Sequence, residues 1–293
     1  MKRILALTTL LAALLSGCAR NTPAVTGEIA EPYMPPVRGT PGTRTVTNFL
    51  RTALMPVGTT LYVYGGGWSR QDDGASPQAV SIGLPEEWVA FFRKQDADYS
   101  YESYSPRGGV NEYYYAGADC SGYVGWALYN TMYDHDGEAG FVDFADRIAA
   151  NLSARGWGKA GAAQTVRPGD IMSMSGHVWI ALGVCADGSI VIAHSTPSPS
   201  FTGGAGGGVQ LSAVGTSTAC EAYRLAQSYM TQYYPQWSAR YPVVYKSPNA
   251  YLSGVLFSWD TTSEGGLRDP DGLRALDAAA VLERLFRETS SGT

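Results

Sequence analysis

Apolar positions recur at helical spacing in several separate stretches of this chain. In residues 45–54, Val46, Phe49, Leu50 and Leu54 share one stripe, which a Pro56-Val57-Gly58 break closes. After Asp119-Cys120-Ser121-Gly122, apolar Val124, Ala127, Leu128 and Met132 continue the same period, so a helix starts there and Cys120 lies in its first turn. Residues 85–93 read as a short helix, and Phe144, Ile148 and Leu152 mark another that Gly156 ends. Residues 219–234 predict a further helix. Leu273, Leu276, Val281, Leu282, Leu285 and Phe286 form the apolar side of a last one, capped by Asp269-Pro270-Asp271-Gly272. Two apolar runs, 177–183 and 189–194, flank Asp187-Gly188 and predict an antiparallel hairpin, entered through a Pro168-Gly169-Asp170 turn. Helices around a hairpin give an α+β fold, with the Cys120 helix packed on a mainly antiparallel sheet.

Position makes Cys120 a candidate nucleophile. Unpaired N–H groups and the positive end of the helix dipole favour a thiolate in a first turn, whereas a structural cysteine belongs mid-helix on the apolar face. The chain has three histidines from which to draw a base. His135 lies past the end of the same helix, roughly 20 Å from Cys120 at helical rise, and reads as a solvated loop residue. His177 opens one strand of the hairpin and His194 closes the other, so they meet at one end of it. A thiol on a helix start facing a base and an orienting group on adjacent strands is the arrangement of an activated nucleophile.

Five short runs in order carry a resemblance: Tyr62-Val63-Tyr64-Gly65-Gly66, Asp119-Cys120-Ser121-Gly122, Pro168-Gly169-Asp170-Ile171, Gly176-His177-Val178 and Ile192-Ala193-His194-Ser195. The chain over residues 45–214 resembles the NlpC/P60 family of papain-like cell-wall cysteine peptidases. Gly208-Val209-Gln210-Leu211-Ser212 looks like that family's following strand. The resemblance implies a papain-like fold and cleavage of amide bonds in peptidoglycan stem peptides, often after γ-D-glutamate, without a cofactor or metal. It assigns Cys120 as nucleophile, His177 as base, His194 as its orienting partner and Tyr62 as a hydroxyl beside the nucleophile, with Tyr64 pointing elsewhere. Asp119 and Ser121 would meet the substrate, Asp119 through a free amine.

The amino-terminal region reads as export and anchoring. A basic start and a short apolar run end in Leu15-Ser16-Gly17-Cys18, which resembles a bacterial lipobox. Residues 1–17 are then a signal peptide and Cys18 the lipidated residue. Residues 18–43, rich in Pro, Thr and Gly, form a flexible tether of roughly 25–30 Å reach. Residues 44–260 form the catalytic domain and 261–293 a helical extension. The expected location is a bacterial membrane, lipid-anchored and facing the cell wall, with peptidoglycan or a muropeptide as partner. Formal net charge of −5 and the lack of a basic stripe argue against nucleic acid.

One departure from the family is large. About fifty residues, 68–116, separate the tyrosine motif from the cysteine motif, including a tyrosine-rich run. Both ends are hinged on site residues, so this insertion is either a wall of the substrate groove or a decoration on the domain's side. Cys185 and Cys220 are either a disulfide or two free thiols. Residues 202–208 read as a flexible glycine-rich connection. Rival functions are a papain-like amidase or acyltransferase, a zinc enzyme using Cys120, His177 and His194, and a non-catalytic cell-wall-binding lipoprotein.

Overall fold

Helix α3, Cys120–Met132, stands at the centre, and every one of its residues except Ser121 is buried. A helix apolar on all sides must be surrounded, which explains why its sequence carries so little amphipathic contrast. Asp119 caps it through the Gly122 N–H at 2.7 Å. Gly122 is required by space: a Cβ there would overlap the carbonyl of Gly66, whose segment crosses the helix's first turn. Helix α1, Val46–Leu54, packs on α3 and is capped by the Thr45 hydroxyl, which accepts from the Asn48 N–H at 3.1 Å.

The computed structural model describes residues 32–67, 79–94, 114–197 and 207–287. The signal peptide, Cys18 and the first part of the tether lie outside the described residues, as do 68–78 and 95–113 of the insertion and 202–206 of the glycine-rich connection. Residues from Met34 onward belong to one compact unit.

The fold is α+β. Strands β1 (Gly158–Gly161), β2 (Ile171–Met174), β3 (His177–Val184), β4 (Ile190–Thr196), β5 (Gly208–Val214), β6 (Tyr245–Lys246) and β7 (Val255–Trp259) form one sheet in the order β1-β7-β2-β3-β4-β5-β6. All neighbours are antiparallel except β5 and β6, so the sheet is mixed but mainly antiparallel. The predicted hairpin is β3–β4, with Gly188 in its turn at φ 81° and a register shift between Ala181 and Gly183.

The two faces of the sheet are unequal. Val178, Ile180, Leu182, Val191, Ala193, Val209, Leu211 and Ala213 join the large core that includes α1 and α3. Trp179, Ala181, Ile190, Ile192, Val214 and Leu256 form a smaller cluster on the other face, with Tyr251 and Leu252 packed against it. Strand alternation puts His177 and His194 on this second face, because each lies two residues from a member of the smaller cluster.

The remaining helices are α2 (Glu86–Lys94), α4 (Ile148–Ala154), α5 (Glu221–Tyr233), α6 (Pro235–Ser238), α7 (Pro248–Tyr251) and α8 (Ala278–Arg287). Helix α2, inside the insertion, is part of the core. Its Trp88 ring lies 5.7 Å from Trp126 of α3, and its Phe92 ring 5.3 Å from Trp237. Asn130 of α3 also accepts from the Gly83 N–H at 2.7 Å and donates to the Ser81 carbonyl at 2.9 Å. These described parts of the insertion are therefore built into the domain.

Four expectations change. Phe144 is exposed and precedes α4, because the chain there bends before the helical turn begins at Ile148. The last predicted helix is two pieces. Asp269 caps a 3-10 turn, Leu273–Ala275, through the Leu273 and Arg274 N–H groups, and Asp277 starts α8 separately through the Ala280 N–H. Residues 34–43 are packed rather than tethering: Val37 is buried, and the Asn48 side chain binds the Thr40 backbone in both directions. The carboxy-terminal segment is integral, since Leu267, Leu273, Val281, Leu282, Leu285 and Phe286 all enter the large core.

Candidate active site

The cysteine motif and the tyrosine motif are stitched together by backbone. Ala118 N–H donates to the Leu61 carbonyl at 3.1 Å and Asp119 N–H to the Gly66 carbonyl at 3.0 Å. The Asp119 carboxylate, besides capping α3, accepts from the Gly65 N–H at 3.1 Å and the Ser121 hydroxyl at 3.0 Å. Its burial nevertheless raises its pKa above the ordinary value, despite these donors. Asp119 and Ser121 thus hold one another and the Gly65 turn, which is a positional role that the motif alone did not reveal. Tyr62 sits on this stitched segment, half-buried, with its N–H donated to the Gly207 carbonyl at 2.6 Å. Tyr64 is 59% exposed.

Cys120 is buried, and its sulfur lies 4.0 Å from the carbonyl of Gly176, the residue before His177. The thiol forms no hydrogen bond to either histidine. Instead His177 Nε2 and His194 Nδ1 are 2.8 Å apart, which leaves Nδ1 of His177 outside that pair. His194 Nε2 is 2.9 Å from the Ser212 hydroxyl. Gln210 continues the chain: its Nε2 donates to Ser212 Oγ at 3.1 Å while its Oε1 accepts from the Trp237 indole at 3.2 Å. Because the indole N–H can only donate, it orients the amide and makes the Gln210 nitrogen a donor towards Ser212. A buried row therefore runs Trp237, Gln210, Ser212, His194, His177. In one of its two proton arrangements the hydrogens on His177 Nε2 and His194 Nε2 both point along the row towards Ser212. Nδ1 of His177 then carries a lone pair.

Electrostatics differ from the sequence expectation. Burial, with the neighbouring Asp119 charge second, pushes the Cys120 thiol up to about 12. Burial, with Lys246 second, takes His177 down to about 3; burial, with His177 second and Lys246 third, holds His194 well below its ordinary value. The helix start does not prevail over desolvation here, because taking a thiolate out of water outweighs the partial charge of one helix end. The resting pair is a neutral thiol and a neutral imidazole.

Two residues of this site were missed by sequence reasoning. The Tyr251 ring of α7 lies 5.4 Å from the His177 ring and 6.2 Å from that of His194. Lys246 of β6 places its ammonium 5.6 Å from the Tyr251 ring centre. Both come from a stretch without a motif, some fifty residues after His194 in sequence. Only β6 joining the sheet beside β5 brings them in.

His135 is exposed in a loop, as predicted, beside Asp134 and Glu138. Cys120, His177 and His194 are not among the groups of described residues whose ligand atoms all lie within 4.8 Å of one another. A second cluster, Cys185, Asp187 and Glu221, does converge. Its carboxylates are already used: Asp187 accepts from the Glu221 N–H at 2.7 Å, and Glu221 from the Ala186 N–H at 3.1 Å. Cys185 and Cys220 are free thiols. Among the described residues no helix is long and apolar enough to cross a membrane. No family model matches the chain, and it has no significant match among curated proteins or solved structures.

Proposed function

We propose that this chain is a cysteine peptidase of the NlpC/P60 type, with a papain-like fold, that hydrolyses amide bonds in peptidoglycan stem peptides. The observation that carries the reading is the thiol at the start of α3, set against the strand end that bears His177. That histidine is held at its far nitrogen by His194 and backed by Ser212 and Gln210. In this role His177 accepts the Cys120 proton as the sulfur attacks the amide carbon. His194 holds the imidazole in the base-competent arrangement. Because both groups rest neutral, the proton moves as the C–S bond forms rather than beforehand. The Cys120 N–H at the helix start, with the Tyr62 hydroxyl, stabilises the oxyanion. The tetrahedral intermediate expels the amine, which takes the proton from His177. Water then attacks the thioester with His177 again as base. Asp119 and Ser121 shape the substrate side of the helix start.

The resemblance of the amino-terminal run to a lipobox supports export, lipidation at Cys18 and a membrane-anchored enzyme facing the cell wall. The test is mass spectrometry of defined muropeptides incubated with the full chain in detergent. Cleavage at one amide bond is expected in the wild type, with loss of turnover by a factor of about 10⁴ or more in Cys120→Ala. Wild-type turnover in Cys120→Ala would sink the mechanism, and an intact muropeptide pool would sink the substrate.

A further inference from the structure

Beside the histidine pair stands a cation, Lys246 of β6. Lys246 is only partly exposed, yet no carboxylate forms an ion pair with it among the described residues. Its ammonium stands over the face of Tyr251, 5.6 Å from the ring centre, and that ring lies 5.4 Å from the His177 ring. Burial lowers the Lys246 pKa, and its charge is felt by both histidines. Tyr251 in turn lies within electrostatic reach of Cys120. Base and ammonium therefore meet at one aromatic ring. A partly desolvated ammonium is costly unless an opposite charge reaches it, and a cation–π contact offsets only part of that.

We infer that Lys246, framed by Tyr251, is the receptor for a carboxylate of the substrate, so that this site selects amides bearing a free carboxylate near the bond to be cut. The inference rests on the proposed amide-cleaving site and assigns its specificity. One ammonium beside one ring suits a single negative charge, whereas a phosphate calls for several converging donors. Carboxylate binding would also offset the positive charge that opposes an imidazolium at His177. The groups facing that imidazole are His194, Lys246 and Tyr251, with Cys120 and Asp119 beyond. Substrate binding and base strength would then rise together.

The test uses N-acetylglycine and its neutral counterpart N-acetylglycinamide, each titrated into the full chain and followed on the imidazole NMR signals of its three histidines. The acid is expected to move the His177 and His194 signals saturably and leave His135 still, while the amide moves none. Lys246→Gln should lose the response and Lys246→Arg should keep it. On muropeptides, Lys246→Gln should raise KM about ten- to hundredfold for a carboxylate substrate and so erase the KM preference for it over its amidated form. Equal responses to acid and amide in the wild type overturn the inference whether or not the variant folds, and so does a full response in folded Lys246→Gln. Carboxylate binding without any hydrolysis would overturn only the peptidase reading. Hydrolysis without carboxylate preference would overturn only the role of Lys246.

Discussion

Two buried polar systems sit on neighbouring parts of the same sheet and are satisfied in opposite ways. Near the turn into β2, Asp170 and Arg274 form an ion pair at 2.8 Å, both almost entirely buried. Arg274 also donates to the Pro168 carbonyl at 3.0 Å and the Ser258 hydroxyl at 2.8 Å, and Asp170 accepts from the Arg167 N–H at 2.9 Å. Charge and hydrogen bonds close on themselves there, and the cluster ties the carboxy-terminal segment to the β2 entrance. At the opposite end of β2, across its turn into β3, the His177–His194–Ser212–Gln210 row is neutral, has two proton arrangements and borders the Cys120 thiol and the Lys246–Tyr251 pair. The first system is complete and has nothing left to offer a ligand. The second is complete only on its inner side, and that open end is where chemistry can take place.

Substitution should separate the two most strongly. His177→Ala is expected to lower turnover about as far as loss of the thiol while leaving the folded state intact, whereas a change at His194 leaves some activity, because it only orients. A kcat for His177→Ala near the wild-type value would show that the row is merely structural.

Arg274→Met should do the reverse. Leaving Asp170 buried without its partner costs about 3–5 kcal/mol of stability, read by denaturant unfolding, with kcat per folded molecule unchanged. Arg274→Met/Asp170→Asn should be more stable than Arg274→Met alone, because the stranded charge is gone. If the double variant is the weaker of the two, the clamp does not work as a charge pair.

A smaller effect is the acid response. His177 and His194 have folded pKa values below those of the unfolded chain, so the unfolded state binds more protons as pH falls below about 6.5. Their contribution to stability is complete above that pH and is lost on acidification, for His177 towards about 3, by up to tenfold in the unfolding constant per pH unit for each group. Asp119 and Asp170, whose pKa values are raised, act in the opposite sense, so the useful quantity is a difference. Wild type minus His194→Gln should show a slope of about one proton between pH 4 and 6. Equal slopes would mean that His194 is charged in the folded state.

The mildest test concerns the thiol itself. With Cys120 pushed up to about 12, its alkylation by iodoacetamide should keep rising through pH 8.5 rather than level off below it. A plateau near neutrality would restore the thiolate expected from the helix start.

What could be read in the chain alone were the features set by neighbours in sequence. The helix start at the cysteine motif, the Cys120 first turn, the helix within 45–54 and the Asp187-Gly188 hairpin all follow from periodicity and turn chemistry. Hairpin pairing also brought His177 to His194, since strand register is a local consequence of the turn. Three matters needed the tertiary structure. The protonation of Cys120 and His177 depends on how much water surrounds them, and that is a property of the packed core rather than of a motif. Lys246, Tyr251 and Arg274 reach their partners across long sequence separations, by strand addition and by packing of the carboxy-terminal segment. The requirement for glycine at 122 became visible only when the Gly66 carbonyl was found against it. Periodicity encodes which face of an element is buried, but burial depth, charge pairing and close approach arise only when distant segments share the same space.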